Sequence, residues 1–331
     1  MHKKAIIITG SSGEIGKNLI NYFINNSSNK IIALDLIQSN KEDGNVTFIK
    51  GDILDNNLLT KISDEYYIHE IYHLAAILSS KAAKNPKLST SVNVDGTINM
   101  FNIALEQNLE FGNLVKFFFP SSIAVYGESQ KTKLKNLEYM NCNPITVYGQ
   151  NKLYCENIGV ALNNYGNELN QKIDFRCIRF PGIISANTLP TGGTSDYVPE
   201  MIHRGLSKVH YDCFVRKDSI LPFITMPDAI DAIIQIMITE KIKLTECVYN
   251  ITSFSPEINE ICNRIMKLNK NFTLTFSIDK MKQKIVDSWP QYIDDSLARK
   301  DWDWQPNHNL DKAFSDYLIT NLCKEYNELI R

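Results

Sequence analysis

The sequence predicts an α/β protein: a doubly wound parallel sheet with helices on both faces, joined to a smaller C-terminal α/β domain. Short apolar runs alternate with longer segments of helical period, the runs lack the polar alternation of one-sided strands, and a glycine-rich turn follows the first of them.

The runs, in order, are residues 4–9, 30–34, 46–50, 70–74, 115–119 and 175–179, rich in Ile, Val and Phe. Each is bounded by a turn or a helical stretch, the rhythm of βαβ units. After about residue 180 the rhythm breaks into a loop rich in Gly, Thr and Pro, residues 187–199, and the later chain mixes helices with isolated strand-like pieces. We therefore expect a nucleotide-binding domain over residues 1–180, with a soft boundary that the chain recrosses, and a mainly substrate-binding domain over 181–331.

Composition narrows the function classes. With 44% hydrophobic and 22% charged residues, the chain can bury a large core, and disorder is not expected. Lys and Arg total 35 against 37 Asp and Glu, a net charge of -2, which offers no electrostatic footprint for nucleic acid or an anionic membrane. No apolar run approaches the roughly 20 residues needed to span a bilayer. The start MHKKAIIITG superficially resembles a secretory signal, but its short apolar run leads straight into a glycine motif and reads better as a first strand. The seven cysteines, at 142, 155, 177, 213, 247, 262 and 323, are scattered and never form Cys-x-x-Cys. That usage predicts reduced thiols in a cytoplasmic protein.

Thr9-Gly10-Ser11-Ser12-Gly13-Glu14-Ile15-Gly16 places three glycines between the first strand and an amphipathic segment beginning near Gly13. Glycines there allow a tight turn and let backbone N–H groups approach a pyrophosphate at a helix N-terminus. A glycine-rich turn without a ligand is the alternative, because the spacing is G-x-x-G-x-x-G and not G-x-G-x-x-G. Asp35 ends the second strand, 19 residues after Gly16, where its carboxylate can accept from both ribose hydroxyls of an adenosine. It would repel a 2′-phosphate, and no Arg or Lys stands among Ser11, Ser12, Glu14 and Leu36 to offset that, so NAD is expected over NADP. Asp52 and Ile53, after the third strand, are candidates for the adenine. Leu74, Ala75 and Ala76, ending the fourth, would let backbone lie along the cofactor.

Tyr148-Gly149-Gln150-Asn151-Lys152 sets a phenol and an ammonium one helical turn apart on one face. A free tyrosine titrates near 10, so a neutral-pH base needs about 4 kcal/mol of electrostatic help. A lysine charge at about 4 Å supplies that order of energy at intermediate dielectric, and a positive nicotinamide ring adds to it. Taken alone, the pair is an ordinary surface coincidence. Pro120-Ser121-Ser122-Ile123-Ala124-Val125-Tyr126-Gly127, read as lying directly after the fifth strand, changes the weighing by adding hydroxyls within reach of a substrate oxygen. Ser122 stands 26 residues before Tyr148, with Ser121 as the fallback; His73 reads as structural.

TGSSGEIG, the Asp35 strand end, HLAA, PSSIAVYG and YGQNK together resemble the extended short-chain dehydrogenase/reductase family, over nearly the whole chain. The resemblance implies a Rossmann-type fold, with Tyr148 as general acid/base, Lys152 lowering its pKa and holding the nicotinamide ribose, and Ser122 orienting the substrate oxygen. It also implies a homodimer.

Beyond residue 180, Arg179-Phe180-Pro181-Gly182-Ile183-Ile184-Ser185, Gly192-Gly193-Thr194-Ser195-Asp196-Tyr197, Met226-Pro227-Asp228, Tyr249-Asn250-Ile251-Thr252 and the stretch from Ser288 to Trp302 are similar to one subgroup, the short-chain L-threonine 3-dehydrogenases. That likeness implies NAD-dependent oxidation of L-threonine at its hydroxyl carbon to 2-amino-3-oxobutanoate. The zwitterion needs partners, for which Ser79, Thr194, Ser195 and Asp196 are candidates, although such residues beside glycines are also ordinary turn formers. Trp289 reads as a buried structural residue before a pocket wall. Ser195 and the stretch Leu221-Pro222-Phe223-Ile224 depart from the subgroup's pattern. Zinc-type ligand spacing is not seen, and no metal is expected. Two alternatives stay open: a nucleotide-sugar epimerase or dehydratase, for which Arg179, Arg204 and Arg216 could meet a second pyrophosphate, and a non-catalytic NAD-binding sensor or assembly protein.

Overall fold

Apolar runs without polar alternation are stable only where helices cover both faces of a sheet, and the computed structural model builds that arrangement from them. It describes residues 3–37, 44–127, 142–165, 172–190, 193–207 and 210–322.

The expected strands form as β1 (Lys3–Thr9), β2 (Lys30–Asp35), β3 (Val46–Lys50), β4 (Tyr66–His73), β5 (Lys116–Ser122) and β6 (Asp174–Phe180). The later chain adds β7 (Gly182–Ile184), β8 (Tyr211–Cys213), β9 (Phe223–Thr225), β10 (Val248–Asn250) and β11 (Leu274–Phe276). Strands β7 with β9 and β8 with β11 make small parallel pairs, whereas β10 returns to pair with β6. The main sheet is therefore a parallel seven-stranded one in the order β10-β6-β5-β4-β1-β2-β3. The helices that position the site are α1 (Glu14–Asn26), α2 (Asn56–Glu65), α3 (Ser79–Lys84), α4 (Pro86–Thr90), α5 (Gly96–Phe111), α6 (Val147–Asn164), α7 (Tyr197–Leu206) and α8 (Met226–Ile238).

Side chains leave a strand alternately to its two faces, and both faces are packed. Ile6, Ile8, Ile31 and Phe118 join Leu19 and Phe23 of α1 and Ile233 of α8 in one core. Ala5, Ile7, Ile32, Phe117 and Phe119 join Leu59 of α2, Phe101 of α5 and Cys155 of α6 in the other.

Two strands differ from the sequence expectation. Strand β4 starts at Tyr66, directly after α2 with no connecting loop. Strand β5 runs through Ser122, so Pro120, Ser121 and Ser122 are its last residues and not a turn beyond it; they pair with Ile178, Arg179 and Phe180 of β6. A proline is tolerated there because pairing with β4 has already stopped at Phe118.

The six cysteines among the described residues are free thiols; Cys323 lies outside the described residues. No helix among the described residues is long and apolar enough to cross a membrane.

Candidate active site

The glycine turn closes against β4. Gly10 has φ +65°, and a Cβ there would lie 2.6 Å from Ala75 N and 2.7 Å from the Leu74 carbonyl carbon, so only glycine lets the turn lie on the β4 end. A Cβ on Gly16 would sit 2.4 Å from the Gly10 carbonyl oxygen. Helix α1 starts at Glu14 with Gly13 as an N-cap that offers no side chain to its first N–H groups. Those donors lie at the glycine turn, an uncapped cradle of the kind that suits a pyrophosphate. Asp35 lies beside it: Ser12 N–H donates to Oδ2 at 2.9 Å and Ile37 N–H to Oδ1 at 3.0 Å. A carboxylate has about four acceptor positions, so lone pairs are left for ribose hydroxyls. Asp52 accepts from Leu54 N–H at 3.0 Å. Ile53 is only 5% exposed and packs onto Gly96, which turns its side chain into the core and leaves little of it for an adenine.

A buried chain of hydrogen bonds, unnoticed in the sequence, rigidifies this end of the sheet. Thr97 Oγ1 donates to the Asn93 carbonyl at 2.6 Å, so it accepts from His73 Nε2 at 3.0 Å. The other ring nitrogen, Nδ1, then accepts from Thr9 Oγ1 at 2.8 Å, and Thr9 Oγ1 in turn accepts from Ala75 N–H at 3.2 Å. His73 is thus structural, as its position suggested. Burial, helped by the Lys152 charge, pushes its pKa down to about 3. An unfolded histidine titrates near 6.5, so between these values the unfolded chain binds more protons and stability falls as the pH drops, by up to about 1.4 kcal/mol per pH unit from this ring. Thermal melts from about pH 7 to about pH 4 are expected to show a shallower decline in His73→Gln than in the parent chain; equal slopes would remove His73 as the cause.

The catalytic candidates meet where α6 abuts the end of β5. Thr146 caps α6 by accepting from Gly149 N–H at 3.1 Å. A Cβ on Gly149 would lie 2.3 Å from the Ala124 carbonyl oxygen, so this glycine lets the helix start against the turn that follows Ser122. Ser122, whose Oγ accepts from Ala124 N–H at 3.2 Å, lies close enough to Tyr148 for its hydroxyl to favour the ionised phenol. Ser121 is buried with no partner for its hydroxyl, and it faces away from the half-buried Tyr148 side.

Lys152 is 4% exposed, donates from Nζ to the Pro120 carbonyl at 2.6 Å, and lies 4.4 Å from the Phe119 ring centroid and 5.8 Å from that of Tyr148. Burial pulls its pKa down to about 8. Burial raises Tyr148 to about 12, against which the nearby Ser122 hydroxyl works in the lowering direction. The Lys152 ammonium thus contacts the Pro120 carbonyl and the Phe119 ring face, with the Tyr148 ring a little further off.

Among the substrate candidates, Ser79 opens α3 and is partly exposed. Its loop is held by Asn93, which accepts from Ile77 N–H at 2.7 Å and donates to the Ile77 carbonyl at 2.9 Å. Thr194 is buried, while Ser195 and Asp196 are partly exposed. Asp196 Oδ2 accepts from Gly193 N–H at 2.7 Å, so this carboxylate also staples its own loop before α7. Gly192 lies outside the described residues. Trp289 is 7% exposed within the core, as a structural tryptophan would be. Two of the three arginines considered for a second pyrophosphate are engaged: Arg179 is buried against Glu156, and Arg216 pairs with Asp218 and Asp287. Among the described residues no cluster of three or more His, Cys, Asp or Glu side chains could hold a metal.

The cradle, the half-satisfied Asp35 and the uncapped α1 fit a dinucleotide. Residues 6–252 match the NAD dependent epimerase/dehydratase family. The chain belongs to that family. It is 32% identical over 323 residues to the mitochondrial L-threonine 3-dehydrogenase of Bos taurus, covering 96% of this chain and 82% of that one. Among solved structures it resembles a monomeric L-threonine 3-dehydrogenase from a metagenome, at 35% identity and a TM-score of 0.86, covering 97% and 99% of the two chains. It also resembles the L-threonine dehydrogenase of Phytophthora infestans, at 34% identity and 0.85, covering 97% and 99%. Its cofactor is NAD, and it is an oxidoreductase.

Proposed function

We propose that the chain oxidises L-threonine at its hydroxyl-bearing carbon to 2-amino-3-oxobutanoate, with NAD taking the hydride. The meeting of Ser122, at the end of β5, with Tyr148 and the buried Lys152 of α6 carries this reading. In it, Ser122 and Tyr148 grip the substrate hydroxyl, and Tyr148 accepts its proton. Bound NAD supplies a hydride acceptor and a positive ring whose charge favours the phenolate. Gly10, Ser12, Gly13, Glu14, Ile15, Gly16 and Asp35 hold the adenosine and pyrophosphate, with Asp52 toward the adenine and only the small exposed part of Ile53 beside it. Leu74, Ala75 and Ala76 line the nicotinamide half, where Lys152 holds the ribose. Ser79, Thr194, Ser195 and Asp196 take the amino-acid end. Residues 1–180 form the NAD-binding part and 181–331 mainly the substrate part.

Incubation with NAD and either L-threonine or a UDP-sugar tests the reading directly. Absorbance growth at 340 nm with threonine is expected; a flat trace together with turnover of the sugar would move the assignment to an epimerase. The engagement of Arg179 and Arg216 already weighs against that alternative. NAD binding without turnover of either substrate would support a sensor. Asp35→Ala is expected to weaken NAD by about tenfold or more while leaving NADP little changed, because only the ribose hydroxyls lose acceptors; calorimetric titration of both cofactors measures it. We further propose a cytoplasmic homodimer. The mitochondrial name of the bovine relative and the monomeric state of the metagenome one make cell fractionation and solution mass the deciding measurements.

A further inference from the structure

Tyr148, Lys152 and Glu156 stand at i, i+4 and i+8 on α6, one stripe facing the sheet. The first two are the proposed acid/base pair. The third is a carboxylate 2% exposed, and it meets Arg179 of β6, itself 5% exposed, in a bidentate pair: Nε to Oε1 at 3.0 Å and Nη2 to Oε2 at 2.7 Å. Nη1 of Arg179 donates to Tyr126 Oη at 3.2 Å, and Tyr126 donates to Asn250 Oδ1 at 2.7 Å. Tyr126 directly follows the short helical turn that Ser122 caps, and Asn250 ends β10. One ion pair thereby bolts together the helix of Tyr148 and Lys152, the turn after Ser122, β6 and β10.

Burying two charges costs several kcal/mol in desolvation per ion and seldom adds net stability over an apolar pair. The neighbouring buried pair, Arg176 with Asp174, has a plain structural duty, since Arg176 Nη1 also donates to the carbonyls of Met237 and Thr239 at the end of α8. Arg179 instead holds Glu156 and Tyr126, on the two elements that carry the proposed chemistry.

We propose that Glu156 is a positioning residue of the reaction: its pair with Arg179 sets the helix of Tyr148 and Lys152 against the turn after Ser122, and its charge, one turn along α6, favours the protonated Lys152. The inference rests on the proposed roles of Tyr148, Lys152 and Ser122. The groups facing Lys152 are Cys155 and Glu156 with Tyr148 from α6, Cys177 from β6, His73 from β4, and the Phe119 ring and Pro120 carbonyl from β5. The two thiols are pushed above their ordinary range by burial and the histidine is held neutral, so Glu156 is the full negative charge in this set at neutral pH. Removing it leaves the buried Arg179 without this carboxylate.

Two readouts on the full chain test this. The first is the pH profile of kcat and KM with L-threonine and NAD; the second is the NMR shift of Lys152 Nζ against pH in lysine-labelled protein without substrate, assigned by difference with Lys152→Met. Glu156→Gln is expected to lower kcat on the order of 100-fold with KM changed only a few-fold, and to move the Lys152 titration to lower pH. Glu156→Asp should restore the titration in part. Unchanged kcat and an unchanged Lys152 titration in folded Glu156→Gln would overturn the proposal and leave the pair purely structural. Should Glu156→Gln fail to fold, Tyr126→Phe decides: it keeps both charges but cuts the tie to the Ser122 turn, and a kcat loss without a KM change is expected, whereas parental kcat refutes the positioning role. If the parent chain does not turn over threonine, the functional reading fails while the Lys152 titration still reports on Glu156.

Discussion

Tyr148→Phe is expected to lower NADH formation from L-threonine by between about a hundredfold and ten-thousandfold, the range for removing a general base. The reason is local. Phenylalanine keeps the ring in its place on α6 but deletes the phenol oxygen beside Ser122, so the substrate hydroxyl loses the group that accepts its proton. The KM for threonine and the affinity for NAD should change only a few-fold, since the loss falls on the transition state. Initial rates over a range of threonine concentrations separate the two constants. A Phe variant that keeps about a tenth of the parental kcat would be too active for Tyr148 to be the base.

Gly10→Ala is expected to have the largest effect on cofactor binding. Its Cβ would stand 2.6 Å from Ala75 N and 2.7 Å from the Leu74 carbonyl carbon, both backbone atoms that no rotamer change can move. The positive φ adds about 1 kcal/mol for a residue with a side chain. To relieve the contact, the turn has to lift from β4, which also disturbs the bond from Ala75 N–H to Thr9 and the approach of α1. NAD affinity should fall on the order of 100-fold or more, with a lowered melting temperature. A variant that binds NAD like the parent would show that the turn does not hold the cofactor as placed here.

How much of this was legible in the sequence depended on the range of the interactions. Strands β1, β2, β3 and β6 were readable to within about a residue because buried strands are written as uninterrupted Ile, Val and Phe runs. The end of β5 was not, because Pro120 and two serines look like a turn; only the absence of a β4 partner beyond Phe118 explains why a proline closes a central strand. Strand β10 was missed as sheet for a related reason: three residues carry too little pattern, and the strand exists because β6 offers an open edge.

The site divides in the same way. The glycine turn, Asp35 and the Tyr148–Lys152 spacing are local features, and local sterics and helical period make them readable at a distance of a few residues. The Thr9–His73–Thr97 chain, the hold of Asn93 on Ile77 and the Glu156–Arg179 pair join residues far apart in sequence, so no spacing announces them. A cue did exist for Glu156, which continues the Tyr148–Lys152 stripe by one more turn, but its partner on β6 carries none.

By itself, then, the sequence determined the doubly wound sheet, the NAD turn and the identity of the acid/base candidates, because backbone sterics and the alternation of apolar residues act over short stretches of chain. Only the tertiary structure decided where the charges go. The Lys152 ammonium is buried against the Pro120 carbonyl and the Phe119 ring, and desolvation is the largest influence on the titration of both Lys152 and Tyr148. Those energies depend on what surrounds a side chain in space, which the spacing of residues along the chain does not encode.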